Sequence, residues 1–221
     1  ESLTGWDPDQ FVEVRASVEA IDTPRRVRGW WRRSQATFRT KKLDEALLRE
    51  VTSLINLQGP PGSGKSVILR NFSRRALTKA AERHRALSPL AFYVNLREFA
   101  PATQTPTVQD LQDFVRMQVN PTQAPDLDEY LQQEFSDDLR DGQVTLLLDS
   151  FDEIPAIVGS MQNAAVVTPY VRVIQDLMAG GAAKCVVASR EYGGPHVPGW
   201  TRLQLVPFSE AEQLQLLNRY V

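Results

Sequence analysis

One eight-residue string constrains this chain more than anything else in it: Gly59-Pro60-Pro61-Gly62-Ser63-Gly64-Lys65-Ser66. It fits the pattern G-x-x-x-x-G-K-[ST] at every fixed position. The apolar run SLINLQ precedes it and the amphipathic run KSVILRNFSRRAL follows, so the glycine-rich turn joins an expected strand to an expected helix. Glycines are needed there because the backbone must wrap closely around an anion, in conformations that a side chain would block. Main-chain N–H groups and the helix N-terminus supply positive potential. Lys65 then suits β- and γ-phosphates, and the Ser66 hydroxyl suits Mg²⁺. A turn that carried a lysine by chance would need neither this spacing nor this context. The string implies a nucleoside triphosphate site with Gly59, Pro60, Pro61, Gly62, Ser63, Gly64, Lys65, Ser66 and Val67 as candidate binding residues.

The rest of the chain alternates short apolar runs with longer amphipathic stretches, which predicts an α/β fold. Five runs read as buried parallel strands, at 53–58, 90–96, 144–148, 183–189 and 202–206. VTLLL and CVVAS are continuously apolar, as expected of strands covered on both faces. Helical patterns fall at 65–85, 108–119, 127–139, 170–178 and 209–220, and Ser209 with Glu212 has the spacing of a capping box. The expected architecture is a three-layer αβα fold of the P-loop NTPase type, with a five-stranded, mainly parallel sheet. Residues 1–45 read as an N-terminal helical adaptor, 46–208 as the core, and 209–221 as the start of a truncated C-terminal helical domain. The chain opens on Glu1-Ser2-Leu3-Thr4, without Met or a signal-peptide core, and reads as a piece of a longer protein.

Composition narrows the partners. Lys and Arg total 25 against 27 Asp and Glu, a formal net charge of −2. That balance argues against a chain held on nucleic acid or anionic lipid by bulk charge. No apolar run approaches the roughly 18–20 residues that span a bilayer, so no membrane partner is expected. The single cysteine, Cys185, admits no internal disulfide and fits a reducing cytoplasm.

A second element is Val144-Thr145-Leu146-Leu147-Leu148-Asp149-Ser150-Phe151-Asp152-Glu153. An apolar strand that ends in an acid sets a carboxylate at the carboxyl edge of the sheet, where ligands of such sheets bind. Asp149 is thus the candidate Mg²⁺ anchor, direct or through water. Asp152 or Glu153 is the candidate for orienting or deprotonating an attacking water. The third element, Ala188-Ser189-Arg190, ends another strand. Arg190 either reaches toward the γ-phosphate, a role that suits a guanidinium, or pairs with surface carboxylates such as Glu191.

Together these motifs resemble a NACHT domain of the STAND class of P-loop NTPases, of the NOD-like receptor type and in its bacterial form. LLLDSFDE is similar to the family's acid–small–apolar–acid–acid pattern, whereas an AAA+ ATPase would place Glu where Ser150 stands. FYVNLREF, VVASREY and LQLVPFSEAEQLQLLNRYV resemble the family segments at the same places, and the likeness runs from about Leu43 to Val221. The resemblance implies an ATP- or GTP-dependent switch, ADP-bound when closed and oligomeric when NTP-bound, in signalling or in innate-immune and anti-phage defence. It implies that Lys65 and Ser66 bind phosphate and Mg²⁺, that Asp149 supports the metal, that Asp152 or Glu153 serves slow hydrolysis, and that Arg190 senses phosphate. Effector and sensor domains would lie outside this chain. The family's ADP-holding histidine, from a winged-helix domain, has no counterpart, since neither His84 nor His196 falls at that place. The alternatives are an AAA+-type motor and a non-hydrolysing nucleotide-binding scaffold.

Weaker signals remain. Arg25, Arg26, Arg28, Arg32 and Arg33 surround Trp30 and Trp31. Such a cluster serves either as a stacking and phosphate-binding surface or, the reading favoured by the near-neutral charge, as packing tryptophans with solvated arginines. In the resembled family the segment upstream of the phosphate loop helps wall the adenine pocket, which points to Thr37–Thr40. His196 has no Cys or second His near it, so no zinc site is expected.

Overall fold

The five apolar runs form five adjacent parallel strands of one sheet. The computed structural model describes residues 52–82, 89–103, 105–160, 163–190, 197 and 199–206, the strand backbones at 15–19 and 38–42, and residues 47, 210 and 214. The strands are β1 (Arg15–Glu19), β2 (Phe38–Lys42), β3 (Leu54–Gly59), β4 (Leu90–Asn95), β5 (Val144–Asp149), β6 (Lys184–Arg190) and β7 (Thr201–Leu205). The helices are α1 (Lys65–Glu82), α2 (Val108–Val119), α3 (Pro125–Gln133), α4 (Phe135–Arg140) and α5 (Ala164–Leu177). Sheet order is β2-β1-β7-β3-β6-β5-β4. The five strands from β7 to β4 are mutually parallel. β1 runs antiparallel to both β2 and β7.

That outer pair corrects the helical expectation at 15–19 and 38–42, and the rest of 1–45 lies outside the described residues. RASVE and FRTKK are short and largely polar, so they carry no apolar run to announce a strand. They add two strands to the five expected and make the sheet seven-stranded. A strand rich in basic residues suits the sheet edge, where charge discourages further pairing.

The central strands explain why the sheet divides two cores. Every residue of β5 is buried, and β3 and β6 are buried along nearly their whole length. Side chains alternate between faces. One face sets Ile55, Leu57, Leu147, Val186, Ala188, Leu203 and Leu205 with Ile68 and Leu69 of α1. The other sets Val94, Leu146, Leu148, Cys185 and Val187 with residues of α2 to α5. This is the three-layer αβα arrangement. Cys185 lies fully buried in the second core, and burial pushes its thiol well above the ordinary range. The native protein is accordingly expected to resist a thiol reagent until it is unfolded, and rapid labelling of the folded chain would contradict this packing.

Helix boundaries differ from expectation at two places. The stretch 127–139 is two helices, because the backbone turns at Glu134 (φ −106°, ψ −26°). The turn is slight enough to keep Leu131, Phe135 and Leu139 all buried. The helix expected from Tyr170 begins at Ala164, with Pro169 inside it and Asn163 Oδ1 accepting from the Ala165 N–H at 3.1 Å. Pro169 removes one backbone donor, and the burial of Val167, Tyr170, Val171, Val173 and Ile174 offsets that loss. The expected helix at 209–220, with Ser209 and Glu212, falls almost wholly outside the described residues, as do Trp30, Trp31 and their arginines, His84 and His196.

Candidate functional site: a phosphate loop beside a four-charge network

Strand register gathers the candidate residues at one edge. Gly59 pairs with Arg190 across β3 and β6, and Asn95 pairs with Asp149 across β4 and β5. By the two-residue alternation, Gly59, Arg190, Asp149 and Tyr93 share the sheet face that packs on α1. The loop between Gly59 and Lys65 therefore opens onto the same edge as the acids.

The loop has the local geometry its glycines require. Gly62 and Gly64 have φ of 73° and 82°, in the left-handed region that favours glycine. A Cβ on Gly59 would meet Ser63 Oγ at 2.8 Å and Leu205 Cβ at 3.2 Å. The first turn of α1 closes through the Ile68 N–H donating to Gly64 O at 2.9 Å. Lys65 folds back over the loop: its ammonium donates to Gly59 O at 2.7 Å and to Pro60 O at 3.0 Å. Burial lowers the Lys65 pKa and Arg190 adds to that, while Asp152, Asp149 and Glu153 pull it back up. Ser66 is half-buried beside it, and Val67 is 49% exposed.

Asp149 ends β5 at 2% exposure, and Tyr93 Oη donates to its Oδ2 at 2.8 Å. Burial and the neighbouring Asp149 charge push the Tyr93 phenol up to about 12, so it stays a donor at neutral pH. The Arg70 guanidinium lies 4.9 Å from the Tyr93 ring centroid and covers it. Beyond Asp149 the chain turns through Ser150, whose φ of 60° and ψ of 40° are left-handed. A single 3₁₀ turn, Phe151–Glu153, follows, with the Glu153 N–H donating to Ser150 O at 2.9 Å. Phe151 is fully buried and anchors that turn from below.

Asp152 and Glu153 are joined to two arginines. The Arg190 N–H donates to Asp152 Oδ1 at 3.2 Å, and Arg190 Nε stands 3.2 Å from Asp152 Oδ2. Arg190 Nη2 donates to Glu153 Oε1 at 2.6 Å. On the far side Arg97 Nε donates to Glu153 Oε2 at 2.6 Å, and Arg97 Nη2 reaches the same oxygen. The result is an alternating line, Arg97–Glu153–Arg190–Asp152, with Lys65 and Asp149 beside it. For Glu153, burial raises the carboxyl pKa but the two guanidiniums outweigh it, leaving it below its ordinary value.

Of the sequence candidates, the fold brings Lys65, Asp149, Asp152, Glu153 and Arg190 together. Thr40, named for an adenine pocket, lies on β2, which β1 and β7 separate from β3, and Thr37 lies outside the described residues. Arg97 was not singled out by sequence. The segment FYVNLREF carried it, but its partner stands 56 positions away.

The residues fit a nucleotide with Mg²⁺. A cradle that a Cβ at Gly59 would obstruct, a lysine at its rim and a helix N-terminus suit phosphate. No cluster of three or more His, Cys, Asp or Glu able to hold a metal occurs among the described residues. Mg²⁺ is commonly held by one or two protein ligands together with substrate phosphates, and Ser66 and Asp149 are the residues that would serve. The model of the NACHT domain matches residues 53–221. The chain belongs to the NACHT family. NACHT domains are P-loop NTPases, and this one is a nucleotide-binding NTPase module. No curated protein matches the NACHT chain significantly. Among solved structures it is similar to Aeropyrum pernix ORC1 in complex with DNA (18% identity, TM-score 0.42, 80% of this chain and 46% of that one). It is also similar to Drosophila ORC bound to DNA (16% identity, TM-score 0.40, 80% of this chain and 42% of that one). The NACHT chain spans less than half the length of either. No described helix is long and apolar enough to cross a membrane.

Proposed function

We propose that this NACHT domain is a slow, Mg²⁺-dependent NTPase switch. It takes ATP, with GTP as the second choice, and acts in a signalling or innate-immune, anti-phage defence protein that oligomerises in its NTP form. The observation that carries this reading is Arg190 held between Asp152 and Glu153 beside Lys65. A residue that pairs with the acids in one state and with a γ-phosphate in another would couple nucleotide identity to the sheet edge.

Gly59 to Val67 hold the phosphates, with Lys65 on the β- and γ-phosphates. Ser66 and Asp149 hold Mg²⁺, and the Tyr93 hydrogen bond fixes one Asp149 oxygen and so orients the other. Bound Mg²⁺ supplies neutralisation of the charge on the β- and γ-oxygens. Asp152 or Glu153 takes the proton of the attacking water or orients it, and Arg190 reads the γ-phosphate. Slow turnover follows from the state of both acids, since each already shares its carboxylate with a guanidinium.

Steady-state ATP hydrolysis tests the assignment. Wild-type turnover is expected at about 10⁻² s⁻¹ or below, the range of intrinsic switch NTPases. One of Asp152→Asn and Glu153→Gln should lower it by about 10²-fold or more, the scale of a general base, with ATP affinity retained. If neither variant slows turnover, the catalytic role of these acids is wrong. Turnover of many per second would favour a motor instead.

A further inference from the structure

Arg97 is the one member of the charge line that the proposed reaction does not use. It follows β4 in the 3₁₀ turn Leu96–Glu98, and Asn95 Oδ1 accepts its backbone N–H at 3.2 Å. Asn95 is in turn the register partner of Asp149, so the Arg97 backbone is tied to the strand that carries the acids. The Arg97 side chain is 64% exposed against 22% for Glu153, so it sits over the carboxylate from the solvent side.

A carboxylate acts as general base only through a lone pair free to accept the proton of water. Glu153 Oε2 accepts from two nitrogens of Arg97, which uses both of its lone pairs, while Oε1 accepts one bond, from Arg190 Nη2, and keeps one lone pair toward water. If Arg190 leaves for a phosphate, Oε1 is freed, but Arg97 still holds Oε2 and so fixes the direction in which Oε1 faces and keeps the carboxylate a weaker base. Resting on the proposed hydrolytic role of the acids, we infer that Arg97 is a positioning residue that restrains Glu153 and keeps hydrolysis slow.

Among the described residues, the charged groups around Glu153 are Arg97 after β4, Arg190 at the end of β6, Lys65 on α1, and the acids Asp149 and Asp152. Arg97 is one of the two cations that hold the Glu153 carboxyl below its ordinary value. A depressed carboxyl remains a base to lower pH. Removing Arg97 therefore both frees Oε2 and moves the acid limb of the pH–rate profile to higher pH.

The test uses the 221-residue chain with ATP and magnesium. Arg97→Ala is expected to raise kcat about three- to tenfold, a fraction of what a general base supplies, and to shift the acid limb upward. ATP affinity should remain at the wild-type value, which also reports an intact fold. Arg97→Lys, a single point charge without the planar fork, should fall between. In the Glu153→Gln background the Arg97→Ala increase should vanish. A kcat for Arg97→Ala at or below wild type with an unmoved acid limb overturns the inference, as does an increase that persists without Glu153. A wild-type chain that binds no ATP overturns the proposed function and this inference together. A wild type that turns over ATP at the same rate as Arg97→Ala overturns the inference alone.

Discussion

Replacing Lys65 with Ala is expected to reduce ATP affinity roughly 100-fold or more. The ammonium donates to Gly59 O and Pro60 O across the loop, so its position at the phosphate cradle is already defined by two hydrogen bonds. Its charge is the closest cation to the loop backbone, and contacts of an ionised donor to phosphate contribute about 1.5–3 kcal/mol each. Each 1.4 kcal/mol is tenfold in affinity, so a lysine that reaches two phosphates accounts for at least about two decades, and 100-fold is the lower end of the expected loss. Isothermal titration of the wild type and the variant with ATP and magnesium measures it directly. Lys65 is partly exposed on the first turn of α1 and outside both hydrophobic cores, so the fold should survive the change. Unchanged affinity in a folded variant would show that the loop does not hold the triphosphate.

The candidate site was legible because its members sit at strand ends. Val144–Leu148 and the run around Val186 are apolar without alternation, which marks both as central parallel strands, and the residue after such a run must emerge at the carboxyl edge. That argument alone places Asp149 and Arg190 near the phosphate loop, whereas the pairing of Gly59 with Arg190 is supplied by the structure, since the expected strands stop one residue short of each. The loop itself needed no tertiary information, since its glycines encode the left-handed conformations at Gly62 and Gly64.

What stayed hidden did so for physical reasons. β1 and β2 lie outside the buried centre of the sheet, so their sequences need no apolar run. Pro169 signals a helix start when read alone, yet the preceding turn is held by an Asn163 cap and by the packing that follows. The Thr107–Asp110 capping box sits ahead of α2, whereas the sequence drew attention to a similar pattern at Ser209, which lies outside the described residues. Arg97 is the instructive case. A charged residue in a surface turn carries no local signal, and its role depends on a carboxylate delivered by a different strand.

Phe151→Ala should produce the largest loss of stability among changes near the site, and it should separate hydrolysis from binding. The side chain is fully buried in the core that also holds Leu148, Ile154 and Ile157, although it belongs to the short turn that carries both acids. Removing a buried phenyl costs about 3–5 kcal/mol, through lost burial and the cavity left behind. That is a large share of the 5–15 kcal/mol typical of a domain. Thermal unfolding should drop by roughly 6 to 20 °C for a chain of this size. Ser150 is already left-handed, so without Phe151 the turn has little to hold Asp152 and Glu153 beside Arg190. The phosphate loop, by contrast, is carried by β3 and α1, which pack in the opposite core. At a temperature where the variant is still folded, kcat should therefore fall more than ATP affinity. Wild-type stability would show that the phenyl is not buried as described. An equal loss of binding and turnover would show that the acid turn and the phosphate loop are not separately supported.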